Sequence, residues 1–342
     1  MKTLRLTPVK GLKVLVRLDL DLPEIKGKWD DTRLEHGIPT LLYLYKNEAK
    51  HVKVIAHLGR PKGKVVRKLS LKPIAKLLYQ RLLQEKSVKK LNQKELEAWL
   101  EVAENLRFDE REEKPSTKFA RELAKGYDLY VFDAFANSHR DHTSVTRLTE
   151  IMPTVTGIQF YKEITILKKL LKKPKLPFVV ILGGGKPETK IPLIDPISER
   201  ASVVLTGGMI PHEINYENHP NRKLIIGELR EDGLDLSDEA CEQFERFIVQ
   251  AETIVWNGPM GKYEDPKSRK GTQYIADVVA RTRGFKVIGG GDTEAAVTLL
   301  KIDQTKAFTH VSTGGGAMLD YLAKGTLPFL QALEHSEMEQ KK

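Results

Sequence analysis

The sequence is poor in cysteine, with Cys241 as the one such residue among 342. A single cysteine excludes a disulfide within the chain and is typical of proteins kept in reducing compartments. The sequence also has no uninterrupted apolar run of the ~18 residues that a membrane helix needs. Its first residues lack the apolar core and the cleavage site of a secretory signal. We therefore expect a cytoplasmic protein with no membrane segment.

Several common ligand-binding patterns are missing as well. The sequence has no zinc-ligand spacing and no basic residues interleaved with aromatics in the manner of RNA-binding proteins. It has neither the G-x-x-x-x-G-K-[ST] loop nor a well-placed G-x-G-x-x-G loop. The 56 Lys and Arg against 46 Asp and Glu give a net charge of +10, which suits an anionic partner but does not identify it. We expect no nucleic-acid partner.

Short apolar runs alternate with amphipathic helical stretches along the whole chain. The runs that predict strands are 14–16, 52–56, 129–132, 178–182, 203–205, 253–256, 285–288 and 308–311. Helical periodicity is clearest at 71–83, 117–125 and 273–281. Strands that alternate with helices predict α/β folds with parallel sheets. Because 342 residues exceed what one core usually supports, two domains are expected.

In the second half, five predicted strands run straight into glycines. These strand ends read LGGGK, LTGGM, WNGPMG, IGGGDT and STGGGA. Any one of them is more often a tight strand-to-helix turn than a binding loop. All five together favour binding, because ligands lie outside the carboxyl ends of parallel strands and glycine lets backbone N–H groups approach phosphate. The second half therefore resembles a nucleotide-binding sheet.

The first half has charged side chains where the second half has glycines. They lie near predicted strand ends and in loops, at Arg17, Arg33, His57, Arg60, Arg107, His139 and Arg140. A lone arginine in such a loop is usually exposed or ion-paired. Several arginines gathered from different loops would bind a small polyanion, because guanidinium groups match phosphate and carboxylate. The two halves are thus expected to bind two different ligands.

Nine short motifs occur in the order that resembles the phosphoglycerate kinase family. They are VRLDLDLP, DDTR, HLGRPKG, ENLRF, DAFANSHRDH, ILGGGKPETK, VWNGPMG, GGGDT and STGGGA. The resemblance implies an α/β protein of two Rossmann-like domains with parallel sheets, joined by an interdomain helix and a hinge that closes. The implied segments are a 3-phosphoglycerate-binding domain at 1–160, the helix and hinge at 161–175, a nucleotide-binding domain at 176–318, and a tail at 319–342 that returns toward the first domain.

The same resemblance implies the activity and the site residues. The reaction would be reversible phosphoryl transfer between 1,3-bisphosphoglycerate and ADP, giving 3-phosphoglycerate and ATP in glycolysis or gluconeogenesis, with Mg²⁺ accompanying the nucleotide. The implied glycerate-binding residues are Asp19, Asp21, Arg33, His57, Leu58, Gly59, Arg60, Arg107, His139 and Arg140. The implied nucleotide-binding residues are Lys186, Lys190, Gly207, Gly208, Asn257, Pro259, Glu264, Gly290, Gly291, Asp292 and Thr293. Asp292 is the candidate magnesium ligand.

Phosphoryl transfer needs neutralisation of charge on the moving group more than covalent help from the protein. Arg33 and Lys186 are therefore the predicted charge-stabilising catalytic residues. Backbone N–H groups of Gly315 and Gly316, at the start of a predicted helix, are predicted to add an anion site. A monomer is assumed from the family.

Three features depart from the family pattern. Family members usually carry asparagine where this chain has Asp21, which puts an extra carboxylate before an anionic substrate. Only 210–236 connects the GGM loop to the next helix, where the family has several dozen more residues, so the sheet edge and part of the adenine pocket should be rebuilt or missing. Pro187 directly follows Lys186 and stiffens its loop.

Two other functions fit parts of the sequence. A kinase for another carboxylate or acyl phosphate would keep the nucleotide-binding half but would not need the full HLGRP and DAFANSHR set. A metabolite-binding protein with reduced or no turnover would explain the shortened segment and Asp21. The presence of Arg33, Lys186 and Asp292 favours a working enzyme over this second alternative.

Overall fold

The computed structural model describes residues 1–25 and 27–339, and residues 340–342 of the predicted tail lie outside this range. The chain forms two compact units. The first contains residues 1–164 together with the carboxyl-terminal segment from Thr326 onward, and the second contains residues 165–325. The division at 164/165 falls inside one continuous helix. Among the described helices, none is both long and apolar enough to cross a membrane.

The first unit is built on a parallel sheet in the order β5-β4-β1-β6-β7. Its strands, with a small antiparallel hairpin of β2 and β3, are β1 (Lys13–Leu18), β2 (Glu24–Ile25), β3 (Lys28–Trp29), β4 (His51–Ile55), β5 (Leu100–Val102), β6 (Leu129–Asp133) and β7 (Thr154–Thr156). All five residues of β6 are buried. A strand buried on both faces is typical of parallel sheets covered by helices on each side.

The second unit is built on a parallel sheet in the order β10-β9-β8-β11-β12-β13. Its strands are β8 (Phe178–Leu182), β9 (Val203–Thr206), β10 (Leu224–Ile226), β11 (Thr253–Asn257), β12 (Phe285–Gly289) and β13 (His310–Ser312). The two sheets confirm the predicted fold class of two parallel α/β domains.

Helices cover the sheets within each unit. They are α1 (Thr32–Lys46), α2 (Lys72–Gln84), α3 (Gln93–Trp99), α4 (Glu110–Glu113), α5 (Thr117–Ala124), α6 (Leu148–Ile151), α7 (Ile158–Lys172), α8 (Ile191–Ser198), α9 (Ile210–Glu213), α10 (Asp238–Ile248), α11 (Lys270–Arg281), α12 (Gly291–Leu299), α13 (Gln304–Ala307), α14 (Gly315–Lys324) and α15 (Pro328–Glu339). Short 3₁₀ turns lie at Leu4–Leu6, Arg67–Leu69, Leu106–Phe108, Phe135–Asn137 and Pro187–Thr189, and a π-helical turn at Thr143–Arg147.

Side-chain caps explain where several helices begin. Ser116 accepts a hydrogen bond from the Phe119 N–H at the start of α5, and Ser237 does the same for Ala240 at the start of α10. Such caps stabilise a helix by about 1 kcal/mol each. Helix α5 and most sheet strands lie within a few residues of the predicted stretches.

Helix α15 completes the core of the first unit although it comes last in the chain. The ring of Phe329 stacks on Phe132 of β6 at 3.9 Å between centroids and meets Phe160 of α7 edge-on at 4.8 Å. The Phe329 N–H also donates to the Ser138 carbonyl. Phe329, Phe132 and Phe160 are fully buried.

The shortened segment 210–236 still supplies the edge of the second sheet. It contains α9 and the edge strand β10, which pairs with β9. The Tyr216 hydroxyl accepts a hydrogen bond from the Ile226 N–H on this strand. The sheet edge is therefore rebuilt from a short connection.

Candidate active site

Charged residues of the first unit gather at the carboxyl ends of its strands. Asp19 and Asp21 follow β1, His57 follows β4, and Arg107 lies in the turn after β5. Parallel strands bring these positions to one edge of the sheet, which is where ligands bind in such folds.

The two aspartates after β1 have different surroundings. Asp19 is buried, and its carboxylate accepts hydrogen bonds from the Ala136 N–H and the Asn137 amide. Burial raises the pKa of the Asp19 carboxyl, against the opposing effect of Arg17 and Arg33. Asp21 is partly exposed and accepts a hydrogen bond of 2.8 Å from the Gly59 N–H. Asp19 therefore holds the loop after β6, whereas Asp21 faces the open side of the site.

Arg33 lies in the first turn of α1 and reaches back to the loop after β1. Its Nη1 donates to the Asp21 carbonyl at 2.7 Å and lies 3.9 Å from the Asp21 Oδ2. About a third of the Arg33 side chain, 31%, is exposed. The guanidinium is held by the protein while one side of it stays accessible. Arg33 also provides the nearby cation that the extra carboxylate of Asp21 requires.

His57 is 3% exposed and neutral. Burial lowers its pKa well below the usual value, and the charges of Arg17, Arg107, His142 and Arg140 lower it further. Its Nδ1 lies 2.9 Å from the Arg17 Nη2. Because arginine can only donate, Nδ1 accepts and the imidazole proton is on Nε2. That Nε2 is 3.7 Å from the Asp21 Oδ2.

The segment after His57 forms a tight turn held by its neighbours. The Leu58 carbonyl accepts from the Asn105 amide at 2.7 Å, and the Gly59 carbonyl accepts from Arg107 Nη1 at 2.8 Å. Gly59 has a φ of +62°, which favours glycine. Arg60 is exposed, and its guanidinium has no hydrogen-bond or ion-pair partner among residues 1–25 and 27–339. The turn thus presents Arg60 with its charge available.

Arg107 is 4% exposed. Burial lowers its pKa to about 10, although Glu113, 3.3 Å from its Nε, raises it. The buried Nε makes no hydrogen bond among the described residues. The Gly59 carbonyl and Glu113 therefore hold the Arg107 guanidinium in place at this edge, where its charge can attract an anion.

The SHRDH segment completes this edge. Burial lowers the pKa of His142 to about 3, with further lowering by Arg107, Arg140, Arg17 and His139. Arg140 and His139 therefore lie close enough to His142 to act on its charge. Of the predicted glycerate residues, the structure brings together all but the exposed Arg60, which projects from the same turn.

In the second unit, the glycine loops pack backbone against backbone. The Gly183 N–H donates to the Asn257 carbonyl at 2.9 Å, the Gly184 N–H to the Pro259 carbonyl at 2.7 Å, and the Gly208 N–H to the Met260 carbonyl at 2.9 Å. A Cβ on Gly258, whose φ is +95°, would lie 2.1 Å from the Gly183 oxygen. The close approach of these loops therefore requires glycine.

Asn257 and Thr293 lie beneath these loops. Both side chains are buried, and Asn257 Nδ2 donates to the Gly289 carbonyl at 2.7 Å. The Thr293 hydroxyl accepts from the Gly258 N–H at 2.7 Å and donates to the Gly289 carbonyl. Their side chains fix the positions of the loops. Gly315 also approaches these loops closely, because a Cβ added to it would lie 2.5 Å from the Gly290 Cα.

A pocket of about 280 Å³ opens between these loops. It is lined by Gly184, Gly185, Gly208, Met209, Gly233, Leu234, Pro259, Gly261, Lys262, Tyr263, Glu264 and Asp292. Four predicted nucleotide residues, Gly208, Pro259, Glu264 and Asp292, belong to this lining. A pocket lined by glycine backbone, apolar and aromatic side chains and a few polar groups suits a nucleotide.

The two predicted lysines differ in exposure. Lys186 is exposed and precedes the turn Pro187–Thr189, whose Thr189 hydroxyl donates to the Lys186 carbonyl. Lys190 is partly buried and donates to the Gly183 carbonyl. Burial lowers the pKa of Lys190, Asp292 raises it and Lys186 lowers it again. The two lysines and Asp292 thus interact electrostatically beside the pocket.

Two helices begin next to these loops. Helix α12 begins at Gly291 after Gly290, whose φ is +102°, and α14 begins at Gly315 after Gly314. Gly316 is exposed in the first turn of α14. The N-terminal N–H groups of a helix attract anions, so both helix starts suit phosphate.

Sequence reasoning missed part of each site. In the first unit it noted Arg17 only as a charged residue near a strand end, and it did not assign His142, Glu112 or Ser144; the repeated basic residues of SHRDH were a signal for His142. In the second unit it did not assign Met209, Gly233, Leu234 or Tyr263 to the pocket. Leu234 comes from the shortened segment, where no motif marks it.

Comparisons with known proteins find relatives that match nearly the whole chain. The family model described as phosphoglycerate kinase matches residues 4–221 and 213–325. A phosphoglycerate kinase from Borrelia hermsii is 34% identical, with 98% of this chain and 99% of the relative covered, and one from Dictyoglomus turgidum is 35% identical, with 97% and 98% covered. The phosphoglycerate kinase structure from Pyrococcus horikoshii matches with a TM-score of 0.83 at 26% identity, covering 99% of this chain and 100% of that one. The Borrelia hermsii alignment spans 396 residues, so it must contain gaps in this chain.

Proposed function

The chain belongs to the phosphoglycerate kinase family, and from this premise we propose that it catalyses reversible phosphoryl transfer between 1,3-bisphosphoglycerate and ADP. The products are 3-phosphoglycerate and ATP. One observation carries the proposal: the first unit gathers Arg33, His57, Arg107 and Arg140 at the carboxyl edge of its sheet. Such a group suits a small substrate with both a carboxylate and a phosphate.

The first unit binds the glycerate substrate in this proposal. Arg33, Arg60, Arg107 and Arg140 supply positive charge to its phosphate and carboxyl groups. Other contacts come from Asp19, Asp21, His57, Leu58, Gly59 and His139. The exposed guanidinium of Arg60 and the accessible side of the Arg33 guanidinium support these roles.

The second unit binds the nucleotide. The base would lie in the pocket with Met209, Leu234 and Tyr263, and the phosphates would extend toward Lys186, Lys190 and the start of α12. Gly207, Gly208, Asn257, Pro259, Glu264, Gly290, Gly291 and Thr293 shape or line this site. Asn257 and Thr293 act by holding the loops, since their side chains bond to backbone groups.

The residues beside the pocket fit a magnesium ion carried by the nucleotide. No group of three metal-ligating side chains occurs within the described part of the chain. Mg²⁺ in nucleotide sites usually takes one or two carboxylates and completes its shell with water and phosphate. The Asp292 carboxylate, next to Lys190 and the pocket, fits that role. The ion would neutralise phosphate charge.

Arg33 and Lys186 are the proposed catalytic residues. Both cations are accessible, and the transferred group carries negative charge on its equatorial oxygens. Gly315 and Gly316 would add backbone N–H donors. A monomer in the cytoplasm is part of the same proposal.

The test is a coupled assay of ATP formation from 1,3-bisphosphoglycerate and ADP. The wild-type protein should turn over, and Arg33→Ala should lower kcat about 100- to 1,000-fold, because removal of one charge-stabilising donor has that effect in other enzymes. Arg121→Ala, an exposed arginine on α5, is the matched control and should leave kcat unchanged. No turnover in the wild type would favour a metabolite-binding protein and overturn the proposal.

A further inference from the structure

A chain of buried hydrogen bonds lies behind His57 in the first unit. It runs from Glu112 in α4 to Ser144 in the π-helical turn, from Ser144 to Arg17 on β1, and from Arg17 to His57. Exposure is 0% for Glu112 and Ser144 and 1% for Arg17. These residues are remote in sequence, and none of the motif-based assignments included Glu112 or Ser144.

Glu112 provides two acceptors to one residue. One carboxylate oxygen accepts from the Ser144 hydroxyl at 2.6 Å, and the other accepts from the Ser144 N–H at 3.1 Å. Because the hydroxyl proton points to Glu112, the Ser144 oxygen has lone pairs for another donor. The Arg17 Nε fills that position at 3.1 Å.

Arg17 continues the hydrogen-bond chain from Ser144 to His57. Its Nη1 donates to the Leu18 carbonyl at 2.6 Å, and its Nη2 donates to His57 Nδ1 at 2.9 Å. Hydrogen bonds to the Leu18 carbonyl, His57 Nδ1 and the Ser144 hydroxyl therefore hold the Arg17 guanidinium in place. This arrangement keeps the proton of His57 on Nε2, which lies 3.7 Å from the Oδ2 of the partly exposed Asp21.

A glutamine at position 112 cannot replace this carboxylate. The amide has one acceptor oxygen, whereas the Ser144 N–H and O–H both need an acceptor. Either orientation of the amide leaves a buried donor without a partner. Glutamine also removes the negative charge near Arg17. Ser144 and Arg17 therefore require a carboxylate at position 112, and a side chain of the same size and shape is not enough.

We propose that Glu112 is a positioning residue for substrate binding, which acts through Ser144 and Arg17 to hold His57 as an Nε2–H donor toward the glycerate substrate. The inference rests on the proposed function for the identity of the substrate. The hydrogen-bond chain itself involves no ligand and can be tested without one.

The first experiment measures the His57 tautomer by ¹⁵N NMR of the ring nitrogens at neutral pH, with the signals assigned by comparison with His57→Gln. The wild-type protein should show one neutral tautomer with the proton on Nε2. Glu112→Gln and Ser144→Ala should each change the Nδ1 signal and introduce the second tautomer. Wild-type signals in both variants would overturn the inference, whether or not the protein is a kinase.

The second experiment measures steady-state kinetics with 3-phosphoglycerate and ATP. Glu112→Gln should raise the KM for 3-phosphoglycerate about tenfold, as expected for one disturbed hydrogen bond to a charged group, with kcat and the KM for ATP within about twofold. Ser144→Ala should have the same effect. The double variant should also show about tenfold, because both changes break one chain, whereas independent contributions would multiply.

Glu110→Gln is the matched control on the same short helix. Glu110 pairs with Lys114 at the surface, with both side chains mostly exposed, so its KM should equal that of the wild type. A lowered kcat or a raised KM for ATP in Glu112→Gln would indicate a general loss of structure and contradict the inference. If the wild type turned over no substrate, the proposed function would fail while the NMR result would still decide the hydrogen-bond chain.

Discussion

The two units present ligand groups in opposite ways. The first offers side chains, with Arg33, His57 and Arg107 held by hydrogen bonds from loops and helices. The second offers a surface of backbone, because Gly183, Gly208 and Gly258 allow three loops to touch. Side-chain sites depend on buried charge and its partners, whereas a backbone site depends on the absence of Cβ atoms. Substitutions should therefore damage the ligand sites of the two units for different physical reasons.

The largest expected effect comes from adding one methyl group to the second unit. Gly258→Ala puts a Cβ 2.1 Å from the Gly183 oxygen at a φ of +95°, so the loops must separate. We expect a loss of stability of about 3 kcal/mol or more, measured by thermal unfolding and limited proteolysis.

The matched control for stability is Gly291→Ala at the start of α12. No atom lies within 4 Å of the Cβ added there, and alanine favours a helix start at least as well as glycine. Its melting temperature should equal or exceed that of the wild type. Equal stability of both variants would contradict the idea that the second site is held by close backbone contacts.

The next effect concerns pH and the first unit. Burial raises the pKa of Asp133 to about 7, against hydrogen bonds from the Thr40 hydroxyl and the Phe160 N–H at the start of α7. The folded state therefore holds this proton more tightly than the unfolded state does. The resulting stabilisation is complete below about pH 4 and is lost as the pH rises toward 7.

Asp133→Asn isolates this contribution. The variant carries no titrating group at this position, so the stability difference between it and the wild type should shift in favour of the variant as the pH rises from 5 to 8. Because the histidines are common to both proteins, their own titration cancels in the difference. Unfolding curves at several pH values provide the measurement, and a difference independent of pH would contradict the assignment.

A smaller effect is expected from the exposed charges of the first site. Arg60→Ala should raise the KM for 3-phosphoglycerate about tenfold, as expected for the loss of a charge-assisted contact. Lys64→Ala, a nearby exposed lysine outside the HLGR motif, should change it less than twofold. Neither variant should alter the KM for ATP. Equal effects of Arg60→Ala and Lys64→Ala would mean that Arg60 acts only by general electrostatic attraction, and would contradict a specific contact with the substrate.

The smallest effect is expected at Asp21, where the family usually has asparagine. Its Oδ2 lies 3.9 Å from the Arg33 Nη1, so this cation already offsets much of the extra charge. Asp21→Asn should lower the KM for 3-phosphoglycerate only about two- to threefold, in keeping with a partly exposed pair. A KM that is unchanged across pH would show that the offset is complete.

The sequence allowed the fold class and the two kinds of site to be predicted. Apolar runs and glycine loops gave the strands, since both signals are local. The residues of the motifs remain predicted site residues, and the structure shows that many of them lie at the expected strand ends. Helix α1 was not predicted, because Gly37 and Pro39 interrupt its pattern; Gly37 in fact permits close packing against Leu18.

Long-range partners could not be predicted from sequence. Arg17 belongs to a strand, and only the folded chain places Ser144 and His57 on either side of it. Glu112 sits in a charged surface-like run, EREEK, that gives no sign of complete burial. The pocket of the second unit is lined in part by Leu234, which comes from a segment with no motif. Such features follow from tertiary contacts between elements that lie far apart in the sequence.

The position of Phe329 has a consequence for the order in which the protein is made. Its ring fills the core of the first unit against Phe132 and Phe160, yet residues 165–325 are translated before it. The first unit therefore lacks part of its interior until residues 165–325 of the second unit have been synthesised. We expect the first-translated unit to reach its final packing last, and a nascent chain stalled before residue 329 to expose an apolar surface that chaperones recognise.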